Sequence, residues 1–198
     1  MDCCYCTDSI IRELKKALKK SDEDLRKDVE QIVKKHRKKC GSQVHGDYYV
    51  RAGKSYLVDE RGNNLSEKVF KQILARNYRG LYLSRDAPED ILNEENVKFY
   101  WISTARAPNA VAPTDLPKML SIVKEFLKEG GRCVVMIESS ESLILHNGFD
   151  KFLKFVQSIK DAVSESRGIL LVSMNMKART DRERALIEEE LVDLLKKK

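Results

Sequence analysis

Residues 55–198 predict an α/β fold, a mostly parallel sheet of about five strands with helices on both faces, and residues 1–41 predict an antiparallel helical hairpin before it. Three observations carry this. Strand-like and helix-like segments alternate from residue 55 onward, which is the pattern of a sheet sandwiched by helices. One strand, RCVVMIES (132–139), is almost continuously apolar, as burial on both faces requires. The chain of 198 residues, 42% hydrophobic, is long enough for one solid core and a small appendage.

The hairpin comes first. Thr7 can cap a helix whose Ile10, Ile11, Leu14, Ala17 and Leu18 share one stripe. Ser21 with Asp24 resembles a capping box that restarts the chain, and Leu25, Val29, Ile32, Val33, His36 and Cys40 then recur at helical spacing up to Gly41. Residues 42–54 read as an aromatic, glycine-containing linker. The strand SYLVD (55–59) follows, then a helix capped by Asn64, with Glu67 at its third position and Val69, Phe70, Ile73 and Leu74 inward. GLYLSR (80–85) and VKFYWIST (97–104) are the next strands. Thr114 opens a helix that Gly130 and Gly131 end; after 132–139 a helix carries Phe149, Phe152, Val156, Ile159 and Val163, and GILLVSM (168–174) is the last strand. Thr180 and Glu183 box a final helix expected to reach the terminal lysines.

Cys3 and Cys6 form a CxxC pair, and His36 and Cys40 an HxxxC pair on one helix face. At ~1.5 Å per residue, His36 lies roughly 22 Å along the second helix from Ser21, and the first helix returns about as far. Both ligand pairs therefore meet at the open end of the hairpin. Three thiolates and an imidazole suit a structural zinc ion, with Cys4 able to substitute for a neighbour. Thiol pairing, an iron–sulfur centre and inert thiols are the alternatives; an imidazole on the inner stripe favours zinc. Such a clip is a reasonable remedy for a thin core of this size. Cys133 reads as an inert core residue.

Gly53-Lys54-Ser55 looks like the end of a phosphate loop, but position 48 is Tyr and the tripeptide runs into a strand. The loop DERGNN, where phosphates would sit, carries two carboxylates and no lysine. The ends of neighbouring strands nevertheless place Arg85, Ser103, Arg106, Glu138 and Glu141 at the usual ligand edge of an open sheet, a candidate crevice for a nucleotide or small anion. No GxSxG elbow or other catalytic constellation anchors a reaction.

The net charge of +6 permits acidic partners, and 34% charged residues give a dense ionic surface compatible with a thermophile. The paired lysines 15–16, 19–20, 34–35 and 38–39 raise a nucleic-acid reading, against which stands a simple solvated face without interleaved aromatics. No apolar run approaches the ~20 residues of a membrane span and no signal peptide opens the chain, so a soluble cytoplasmic protein is expected.

The pieces GLYLSRDAPE, FYWIST, APTDLPKML and VVMIESSESLILHNGFDKFLKFVQSIKD resemble the archaeal domain-of-unknown-function family 835 over about residues 54–198. The resemblance implies an architecture similar to RecA/KaiC-type ATPases without the phosphate loop, found alone or beside signalling modules. By that analogy VVMIE is the Walker B strand, with Glu138 where an aspartate is usual, and Ser142 stands where the family has tyrosine after Glu141. The expectation is a non-catalytic regulatory adaptor whose hairpin binds a protein partner or a second copy. The alternatives are a nucleotide-binding protein or weak enzyme, and a nucleic-acid-binding protein.

Overall fold

The computed structural model describes residues 48, 50–60, 64–86 and 94–195. The hairpin of residues 1–41, with the zinc candidates Cys3, Cys4, Cys6, His36 and Cys40, lies outside the described residues, as does most of the 42–54 linker.

The described chain runs β1 (Lys54–Asp59), α1 (Leu65–Leu74), β2 (Arg79–Ser84), β3 (Val97–Ile102), β4 (Ala110–Val111), α2 (Leu116–Lys128), β5 (Cys133–Ile137), α3 (Ser140–Asn147), α4 (Phe149–Ser166), β6 (Ile169–Met174), α5 (Asp181–Glu190) and β7 (Val192–Asp193). The strands form one sheet in the order β4-β3-β2-β5-β6-β1-β7, and every pairing is parallel. The sheet thus has seven strands, not about five. The two additional ones, β4 and β7, are two-residue pairings at opposite edges, too short to leave any periodic signal.

Side chains alternate across the central strands. Leu81, Leu83, Val135, Ile137, Leu170 and Val172 enter the core shared with α2 and α4, where Met119, Val123, Phe152, Val156 and Ile159 are buried. Tyr82, Val134, Met136, Ile169 and Leu171 face the other way, onto Val69, Phe70, Ile73 and Leu74 of α1. Each of these burials stabilises the fold by roughly 1.5–3 kcal/mol, which is why β2, β5 and β6 are apolar almost throughout. Gly80 is required by this packing: a Cβ there would stand 2.6 Å from Phe70 Cζ and 3.0 Å from Leu74 Cδ2.

Helix starts differ from the sequence expectation in three places. Asn64 precedes α1 in the left-handed region (φ 48°) and its side chain caps nothing. The cap is Glu60, whose carboxylate accepts from Leu65 N–H (3.1 Å) and Ser66 N–H (3.0 Å). Asp115, not Thr114, caps α2, accepting from Lys118 N–H at 3.0 Å. Residues 140–147 add a helix, α3, whose Leu143, Ile144 and Leu145 are consecutive and form no helical stripe. Gly130 and Gly131, both at positive φ, follow α2 as expected. The Thr180–Glu183 box is present, but α5 stops at Glu190 because Leu191–Asp193 turn extended to pair with β1. Among the described residues, no helix is long and apolar enough to cross a membrane.

Candidate functional site

Chain direction over the sheet locates the site. The chain leaves β2 toward β3 on one side and leaves β5 toward β6 on the other, so adjacent strands β2 and β5 send their exits apart. Such a divergence opens a crevice beyond the strand ends. An open cleft of about 750 Å³ lies there, lined by Ser84, Arg85 and Asp86 after β2, Glu138 and Ser139 after β5, Asn64 and Glu67 at the start of α1, and Glu141, Ser142 and Leu145 of α3.

Its walls are held by short polar links. Arg85 N–H donates to Ser139 Oγ at 2.6 Å, and Arg85 C=O accepts from Trp101 Nε1 at 2.7 Å. Ser84 Oγ donates to Asp86 C=O at 2.6 Å and accepts from Asp86 N–H at 3.1 Å, closing a tight turn at the exit of β2. Ser66 Oγ reaches Glu138 Oε1 at 3.5 Å, tying α1 to the end of β5. Glu141 is consumed internally, accepting from Asn175 N–H at 3.0 Å and pairing with the Arg179 guanidinium.

Beneath Glu138 lies Tyr82, fully buried, whose hydroxyl has no hydrogen-bond partner among the described residues. Burial pushes its phenol far above the ordinary value, and the nearby carboxylates of Glu138, Glu67 and Glu60 push it further. Burial and these carboxylates together keep Tyr82 a neutral phenol.

Three of the five crevice candidates, Arg85, Glu138 and Glu141, do line one cleft. Ser103 and Arg106 do not. Ser103 Oγ accepts from Ala105 N–H at 3.1 Å within the turn between β3 and β4, and that turn carries exposed Arg106 away from the β2/β5 divergence. His146 and Asn147 serve structure: His146 Nδ1 lies 2.8 Å from Ser142 C=O, and Asn147 Nδ2 donates to Pro113 and Leu143 carbonyls. Sequence reasoning missed Glu67, Ser84 and Ser142 as lining and Glu60 as a cap. The adjacent acids of DERGNN were the available signal for Glu60, but a carboxylate four residues before the N-cap position fits no standard capping spacing.

Chemically the cleft is a poor seat for a triphosphate. The phosphate seat of an α/β nucleotide site is the N-terminus of the helix after the first strand, and here the Glu60 carboxylate already takes the Leu65 and Ser66 amides. Lys54 and Ser55, which mimic a phosphate loop in sequence, lie at the opposite end of β1. Among the described residues no group of three His, Cys, Asp or Glu side chains is placed to hold a metal ion.

No curated protein matches the sequence. Among solved structures, a KaiC-like protein from the hyperthermophilic archaeon Pyrococcus horikoshii resembles the chain at 11% identity, over 74% of this chain and 75% of that one, with a TM-score of 0.49. A family model described as "Protein of unknown function (DUF835)" matches residues 59–191, from the last residue of β1 to the residue before β7. That match takes in both walls of the cleft and most of the sheet, and the chain belongs to the DUF835 family.

Proposed function

We propose that the protein is a non-catalytic regulatory or signalling adaptor. In this reading the α/β part keeps the frame of a nucleotide hydrolase without its phosphate seat, and residues 1–41 form a zinc-clipped interaction module. The observation that supports the first half is the Glu60 carboxylate on the α1 amides, flanked by Glu67 and Glu138. An incoming phosphate has to displace one anion and approach two others, and like charges a few ångströms apart repel by about 1 kcal/mol or more each. Calorimetric titration of the full chain with ATP, GTP and cyclic dinucleotides, with and without magnesium, is expected to show no binding up to millimolar concentration. Micromolar binding that disappears in Glu138→Ala would overturn the adaptor reading in favour of a nucleotide-binding protein.

The second half rests on donor chemistry and spacing: Cys3, Cys6, His36 and Cys40, with Cys4 in reserve, make a Cys₃His set of the kind that holds structural zinc. Elemental analysis of protein purified without added metal should find about one zinc per chain. The Cys6→Ser/Cys40→Ser variant should lose it while residues 55–198 keep their circular dichroism. Iron with visible absorbance, or no metal, refutes the zinc clip. A reducing cytoplasm, where thiolates persist, is the compartment this reading requires. The partner is another protein or a second copy recruited through the hairpin, tested by sedimentation before and after chelation.

A further inference from the structure

The opposite end of the sheet, where the strands begin, has a different chemistry. The registers pair Arg79 with Cys133 and Val134 with Ile169. Carried back to the residues before the strands, they set Tyr78, Arg132 and Arg167 side by side at the entries of β2, β5 and β6. At ~4.8 Å between strands this rung spans roughly 10 Å. Arg132 holds its guanidinium 5.9 Å from the Tyr78 ring centre, and its Nη1 donates to Arg76 C=O at 3.5 Å. Lys54 begins β1 beside β6 on the same end. Arg76, Arg132, Arg167 and Lys54 are all exposed.

The fold does not call for this concentration of positive charge. Helix dipoles favour cations in a helix's last turn, a role met by Lys71 in α1 and Lys128 in α2. Arg76 and Arg132 lie in turns beyond those helices. The nearby Glu129 is taken by Arg79 (2.6 Å) and Lys98 (2.5 Å); Glu165 adjoins Arg167 in sequence, and exposed Glu94 and Glu95 precede β3 on the side of Tyr78 away from Arg132. Arginine forks match phosphate oxygens, and a guanidinium plane stacks on bases. A protein interface needs apolar anchors. The large exposed apolar residues among those described, Trp101, Leu145, Val192 and Leu195, belong to the far end of β3, to α3 and to the last strand and its exit.

We propose that this end of the sheet binds single-stranded nucleic acid, with Arg76, Arg167 and Lys54 contacting successive phosphates and Arg132, braced on Tyr78, offering its plane to a base. This surface is separate from the cleft, and the proposal does not depend on the adaptor reading.

The test is fluorescence anisotropy of the full chain with labelled twelve-nucleotide oligouridylate and oligothymidylate between 50 and 200 mM salt. Wild-type affinity should fall as salt rises. The Arg132→Glu/Arg167→Glu variant should bind at least about tenfold more weakly, with a log–log salt slope shallower by about 0.7, the share of the one phosphate contact made by Arg167. Arg132→Gln/Arg167→Gln gives the same direction should the charge reversal fail to fold. Lys15→Glu/Lys16→Glu tests the hairpin lysines separately. Absence of oligonucleotide binding, affinity untouched by both arginine variants, or loss only on the hairpin reversal overturns the proposal. Binding to phosphatidylserine vesicles in place of oligonucleotides overturns it as well, in favour of a membrane surface.

Discussion

The two ends of the sheet spend their polar groups differently. Where the strands finish, several amides and charges are matched within the fold: Glu60 holds the α1 amides, Glu141 holds Asn175 N–H and Arg179, and Ser139 holds Arg85 N–H, although the buried hydroxyls of Tyr82, Ser140 and Ser142 have no partner among the described residues. Where the strands start, Arg79 and Lys98 share one carboxylate, and Arg76 and Arg132 stand exposed with no ion pair among the described residues. An end whose polar groups satisfy one another is part of the structure. An end that leaves like charges adjacent spends a little stability on something outside the chain. By position alone the strand-finish end is the usual binding edge of such a sheet; by electrostatics the strand-start end is the better candidate for an anion.

The largest expected effect tests how tightly α1 is seated between these ends. Gly80→Ala forces a methyl group against Phe70, which is itself wedged edge-on to Tyr82 with ring centres 5.0 Å apart. Denaturant unfolding should show a loss of about 2–3 kcal/mol. A loss below about 0.5 kcal/mol would mean that α1 floats on the sheet, and its N-terminus could then not be a fixed seat for Glu60.

Glu60→Ala comes next and bears directly on the cleft. It frees two helix amides and should cost about 1–2 kcal/mol, the usual worth of an N-cap. The same variant should bind inorganic phosphate or nucleotide no worse than wild type, since a repelling anion has left. Unchanged stability would show that the carboxylate does not occupy the seat in solution, and the argument against phosphate would lose its support.

Most of the frame was legible because a strand buried on both faces writes itself as an apolar run: 132–139 and 168–174 contain β5 and β6 within a residue or two. The Thr180–Glu183 box was legible because its spacing is stereochemically fixed. What was not legible depended on residues distant in sequence or too few in number. Ala110–Val111 and Val192–Asp193 are strands only because β3 and β1 lie beside them. Asn64 has the composition of a cap, yet the backbone turns left-handed there and hands the role to Glu60. In the cleft, Arg85, Glu138 and Glu141 followed from the rule that strand ends bind. Excluding Ser103 and Arg106 required knowing that the chain turns straight into β4.

Tyr82→Phe separates a structural from a functional reading of the polar cluster under the cleft. The hydroxyl is buried and unpartnered, so its removal should leave stability unchanged or raise it by about 1 kcal/mol. A loss of 1 kcal/mol or more would show that the phenol is satisfied in solution, by Glu138 or by water, and that the finished end is better matched than its geometry indicates.

The smallest effect belongs to the other end. Lys98 foremost, and Arg79 with it, hold the Glu129 carboxyl below the usual carboxylate range. A carboxylate whose folded value is lowered stabilises the fold above its unfolded value, near 4.3, and that contribution disappears as pH falls through the lowered folded value. Glu129→Gln should therefore melt slightly below wild type at pH 7, and the two curves should converge as pH falls through the lowered folded value. Because Glu129 is solvent-exposed, salt should shrink the difference at pH 7. The variant also strips the shared counter-charge from Arg79 and Lys98, so oligonucleotide affinity at the strand-start end should rise as thermal stability falls. If both fall together, the arginine end is held by its own ion pairs rather than kept open for a phosphate chain, and the contrast between the two ends fails.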